Sequence, residues 1–143
     1  MGEQQQGRSE ESLRHEYTEV VYNVRHYSNL RFAVFSIFFA VMAGVGIVAF
    51  GKGQFDAHAA LMARFSGMLI IMIFWMYEER CSQFFDHYTK VAAELERSLG
   101  YTQYITRPRP MRFVLEAKMV NRVFFLLLAL LWLYAVFAVP LGT

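Results

Sequence analysis

Residues 59–100, AALMARFSGMLIIMIFWMYEERCSQFFDHYTKVAAELERSLG, decide the fold. The first part, Ala59 to Tyr77, is an apolar run of nearly bilayer-crossing length. At Glu78 the composition turns charged, yet helical spacing continues through Leu99. No proline or glycine interrupts Met68 to Leu99, and one helix from Ala60 to Leu99, roughly 60 Å long, would pass from lipid into water. Working outward, Phe32 to Phe50 and Val123 to Leu141 form two more apolar runs. A crossing needs about 20 mostly apolar residues, and all three runs approach that length. They explain why 56% of the chain is hydrophobic while only 18% is charged.

The placement of charge sets an expected topology. Of the 14 basic residues, Arg8, Arg14, Arg25 and Arg31 precede the first run, and eight more lie from Arg80 to Arg122. Lys52 and Arg64 are the exceptions. With three crossings, this asymmetry puts the N-terminus and residues 78–122 in the cytoplasm and the C-terminus outside. The first thirty residues lack the apolar core of a cleavable signal peptide.

The predicted organisation follows. Residues 1–9 form a flexible tail, with Ser9 placed to cap a helix whose first turn holds Glu10 and Glu11. Residues 10–100 form a long antiparallel helical hairpin with spans 32–50 and 59–77 and amphipathic cytoplasmic extensions. In one extension, Leu13, Tyr17, Val20, Val24 and Tyr27 make an apolar seam. In the other, Cys81, Phe84, Phe85, Tyr88, Val91, Ala92, Leu95 and Leu99 make the facing stripe, ended by Gly100. Residues 101–110 form a basic connector stiffened by Pro108 and Pro110. Residues 111–143 form a third helix with span 123–141. The fold class is thus an all-α membrane protein with three transmembrane helices.

Two stripes of small residues, Ser36, Ala40 and Gly44 in the first span and Ala59, Ala63 and Gly67 in the second, would let helix backbones approach closely in lipid. With Phe84, Tyr88 and Leu95 they are the candidate packing and oligomerisation residues. Arg64 either snorkels to the outer surface, pairs with Asp56, or turns inward as a pore-lining candidate. Tyr101, Tyr104, Arg107, Arg109 and Arg112 interleave aromatic rings with guanidinium groups, a pattern that holds phosphates and stacks on bases. The plainer account of that cluster is a juxtamembrane basic segment touching anionic lipid.

No catalytic constellation is visible: there is no phosphate loop, no nucleophile elbow and no acidic pair inside a span. His15, His26, His58 and His87 have no ligand spacing, and the single cysteine, Cys81, excludes a disulfide framework. The expectation is a non-enzyme without cofactor or bound metal.

The residues FWMYEER at 74–80, AAELERSLGYTQY at 92–104 and the Arg107–Pro108 pair resemble the small bacterial membrane effectors called SLATT-like. The resemblance runs from about Tyr22 onward, and the third apolar run departs from the minimal two-span plan. It implies a pore-forming effector of antiviral (phage) defence in the bacterial inner membrane, where the outside C-terminus expected from the charge asymmetry would lie in the periplasm. The trigger would be a nucleotide second messenger from a partner signalling enzyme, with no nucleic-acid polymer as partner. Two functions stand from the sequence: a homo-oligomeric ion channel gated by a cytoplasmic signal, and a non-catalytic subunit that anchors a larger complex.

Overall fold

A computed structural model of the chain describes residues 9–51, 55–106 and 117–139. Its regular elements are three helices, α1 (Glu10–Phe50), α2 (Ala57–Leu99) and α3 (Ala117–Ala138). All three are long and apolar enough to cross a membrane, which fits a multi-pass membrane protein. Residues 1–8, residues 107–110 of the expected connector with its two prolines, and residues 111–116 of the expected third helix lie outside the described residues.

Local chemistry sets the helix ends. The Ser9 hydroxyl accepts the N–H of Ser12 at 3.2 Å, so Ser9 is the N-cap of α1 as its position predicts. Asp56 does the same for α2, with Oδ1 accepting the Ala59 N–H at 2.6 Å. Gly100 ends α2 with φ at 75°, the left-handed conformation that costs glycine least. The Tyr101 N–H then returns to the Glu96 carbonyl at 3.0 Å.

The residues group into two units, and α1 and α2 each contribute to both. The first comprises Met1–Leu30 and Cys81–Arg112. Its core is Val20, Ala92 and Leu95, flanked by Leu13, Tyr17, Tyr88, Val91 and Tyr104. The predicted seam of α1 therefore meets the predicted stripe of α2 here. Tyr27 adds to it by stacking on Phe84 and Tyr88 at 5.2 and 5.6 Å. The charged residues of these segments, such as Arg14 and Lys90, stay exposed. In water, burying a side chain such as Leu95 stabilises this unit by about 2 kcal/mol.

The second unit comprises Arg31–Arg80 and Phe113–Thr143. Phe38, Ala49, Ile71, Phe125, Ala129 and Trp132 form its core. Phe38 lies 5.1 Å from the Phe74 ring and 5.5 Å from that of Phe125, so aromatic side chains from all three helices interlock. The outer surface is the opposite of a soluble domain's. Phe32 is 74% exposed and Phe137 82%, among many other large apolar side chains. An exterior this rich in exposed apolar side chains fits the multi-pass reading. In that solvent, close packing and dispersion hold the helices together, because lipid tails are as apolar as the core.

Candidate functional site

The second unit holds a buried polar layer where the charged sequence meets the apolar runs. Glu78 is 3% exposed, and its Oε1 accepts from Arg31 Nε at 2.7 Å and Asn121 Nδ2 at 2.8 Å. Arg31 Nη2 adds a third contact to the same oxygen at 2.5 Å. Oε2 is buried and accepts from none of the described residues. Beside it, Arg122 grips Glu79 with two donors, Nε and Nη2, in the bidentate form that suits a carboxylate. One residue from each helix thus meets at Glu78. Arg31 and Glu78 flank the first and second apolar runs, and the trace of their α3 partners in the sequence is an Asn-Arg dipeptide preceding the third run.

Arg64 occupies a different environment in the same unit. It is 3% exposed, so it does not snorkel, and its described hydrogen bonds do not include Asp56. Nε donates to the Ala49 carbonyl at 3.1 Å, and Nη1 donates to the carbonyls of Val136 and Val139 at 3.1 and 2.7 Å. Ala49 and Val136 lie in the last turns of α1 and α3, and Val139 lies just past the end of α3, where carbonyls have no intrahelical donor. A cation there also complements the negative ends of both helix dipoles. The Phe50 ring lies 5.2 Å from the guanidinium, and Trp132 donates its indole N–H to the Arg64 carbonyl at 2.9 Å.

The first unit carries a second buried carboxylate. Glu96 is fully buried, accepting from the Tyr17 hydroxyl at 2.8 Å and from the backbone N–H groups of Tyr104 and Ile105 at 2.7 and 3.0 Å. Burial alone would raise its pKa. The hydrogen bonds from Tyr17, Tyr104, Ile105 and Gln103 outweigh that and hold the carboxyl below its ordinary value. Burial, followed by the Glu96 hydrogen bond and its negative charge, pushes the Tyr17 hydroxyl up to about 12. Glu96 therefore pins residues 101–106 to α1 and to its own helix.

The candidate ligand cluster is placed only in part. Tyr101 lies 5.4 Å from the Tyr17 ring, and Tyr104 packs against the Val20–Leu95 core. Arg107, Arg109 and Arg112 lie outside the described residues. The small-residue stripes divide. Gly67 is buried under Trp132, so close that an added Cβ would sit 2.0 Å from the indole. Ala63 packs at the edge of the same core, and Ala59 is half-buried. Ser36, Ala40 and Gly44 are instead exposed, and nothing lies within 4 Å of a Cβ at Gly44. Phe84, Tyr88 and Leu95 all pack inside the first unit.

Sequence reading missed Glu96. Its signal was present: positions 92, 95, 96 and 99 share one helical arc, so Glu96 lies on the apolar stripe itself and not at its charged margin. Among the described residues no group of three histidine, cysteine or acidic side chains is placed to hold a metal ion. Comparison of the chain with protein-family models, with curated proteins and with solved structures gives no match.

Proposed function

We propose that this chain is a homo-oligomeric membrane channel of the bacterial inner membrane, gated from the cytoplasm, as the SLATT-like resemblance implies. The first two spans would form an antiparallel hairpin. The N-terminus and residues 78–122 would lie in the cytoplasm and the C-terminus in the periplasm. The observation that carries the reading is the Ser36–Ala40–Gly44 face. Nothing fills the space at Gly44, while the matching glycine of α2 is taken up by Trp132. A backbone open to close approach is what a second copy needs in lipid, where packing drives association. Three helices around a phenylalanine core enclose no water path, so conduction requires several copies.

Orientation is tested by reporter fusions. A fusion at Thr143 should report the outer side and one at Gly100 the inner side, and the reverse at either site rejects the topology. Conduction is tested in a bacterial host carrying the protein, challenged with phage and followed with a potential-sensitive dye. Depolarisation on challenge is the expected result. A membrane that stays polarised while the protein is present leaves the anchoring subunit in its place.

A further inference from the structure

Two polar layers bound the second unit across the same three helices. At one, Glu78 of α2 meets Arg31 of α1 and Asn121 of α3. At the other, Arg64 of α2 donates to Ala49 of α1 and to Val136 and Val139 at the end of α3. At about 1.5 Å per residue, the layers are about 27 Å apart along α1 from Arg31 to Ala49, about 21 Å along α2 from Arg64 to Glu78, and about 22 Å along α3 from Asn121 to Val136. All three fall short of an ordinary hydrocarbon core of about 30 Å. The exposed apolar side chains of α2 keep the same limits, running from Leu61 to Tyr77 over about 24 Å, with His58 and Arg80 exposed beyond them. On α3, Met119 and Val120 continue one turn past Asn121, but between Lys118 and the exposed Arg122, so that turn belongs to the headgroup zone.

We propose that the lipid this surface fits is a phospholipid of short acyl chains, whose bilayer has a hydrocarbon core of about 24 Å, and that in a thicker membrane the protein gathers such lipids around itself. Neither boundary can move into hydrocarbon. On the Arg64 side, α1 ends at Phe50 and α3 at Ala138. Arg64 serves only some of the carbonyls that two helix ends leave open, and the rest need the headgroup region and its water. On the Glu78 side, the Arg122 side chain is 54% exposed and Arg80 is exposed too, so that edge also needs headgroups. A body shorter than its bilayer gains nothing by tilting, which shortens it further, so the lipid makes the adjustment. This inference rests on the multi-pass reading and not on conduction or on assembly.

The test uses the purified full chain in vesicles of brominated dioleoylphosphatidylcholine mixed with an unbrominated phosphatidylcholine. Both tryptophans, Trp75 and Trp132, lie in the second unit, and relief of their quenching reports how well the unbrominated lipid competes. Dimyristoleoylphosphatidylcholine should compete about threefold better than dierucoylphosphatidylcholine, with the dioleoyl lipid between them. Equal competition or the reverse order overturns the proposal. Phosphatidylglycerols of the same three chain lengths should give the same order, and an order set by headgroup instead overturns it too. Arg64→Leu removes the donors at the helix ends, so its thermal midpoint should fall further in dierucoyl than in dimyristoleoyl lipid. An equal fall in both contradicts the boundary placed at Arg64, and the chain-length series stands without that variant. Tryptophan emission that stays at its aqueous wavelength would remove the membrane reading and the lipid preference together. A protein found as single copies would sink the channel without changing the order of the lipids.

Discussion

Glu96 is a charge that survives burial because the Tyr17 hydroxyl and the backbone N–H groups of Gln103, Tyr104 and Ile105 replace its water. Removing one of them leaves a charged acceptor underserved, and a hydrogen bond to a charged group is worth about 2 kcal/mol. Tyr17→Phe should therefore lower the stability of the first unit by that order, read from urea unfolding in detergent. An unchanged midpoint would show that the hydroxyl is idle. The pH dependence follows from the direction of each shift. The Glu96 pKa is lower in the folded chain, so its contribution is present above its ordinary 4.5 and is lost as pH falls through the folded value. Tyr17 is raised from 10.0 to about 12, so its contribution is complete below 10 and fades as pH rises through that window. Stability should hold a plateau between these limits and fall on both sides, and Tyr17→Phe should flatten the alkaline limb. Periodicity alone marks Glu96 as lying on the inward arc but does not name its donors. Two of those are backbone N–H groups of residues 104 and 105, brought back only after Gly100 turns the chain.

At the scale of the helices, the two glycines of the small-residue stripes look alike in sequence and differ in the fold. Trp132 is held over Gly67 by its hydrogen bond to the Arg64 carbonyl and by the Phe50 ring 5.2 Å away, so the indole has little room to yield. Gly67→Ala should cost about 2 kcal/mol as an overpacking change. Gly44→Ala should leave the protomer intact or stabilise it by about 1 kcal/mol through helix propensity. Thermal unfolding in detergent by circular dichroism checks both, and equal effects would contradict the packing. The sequence could not separate the two positions. A helix apolar on every face gives no direction to its neighbours, so spacing identifies a stripe without telling which stripe α3 covers. The helix boundaries were legible because capping is local: Ser9 and Gly100 act within a few residues of themselves. For Arg64 the sequence left snorkelling, pairing with Asp56 and an inward turn all open, for the opposite reason. Its acceptors, Ala49, Val136 and Val139, lie 15 or more positions away, and a lone cation in an apolar run gives no hint of two helix ends waiting for donors.

For the whole molecule, the account rests on association between copies. The apolar exterior fits a membrane, the polar layer at Glu78 and Glu79 joins residues of one chain to one another, and the open face at Ser36, Ala40 and Gly44 is the surface that the proposed assembly would use. The most direct measurement is the number of copies per particle, counted by single-molecule photobleaching of the labelled full chain in dilute phosphatidylcholine–phosphatidylglycerol vesicles. The account requires a fixed stoichiometry above two that persists on dilution and drops in Gly44→Leu, where a bulky side chain holds backbones apart. One copy per particle at every protein-to-lipid ratio would contradict the claim that this chain assembles to conduct.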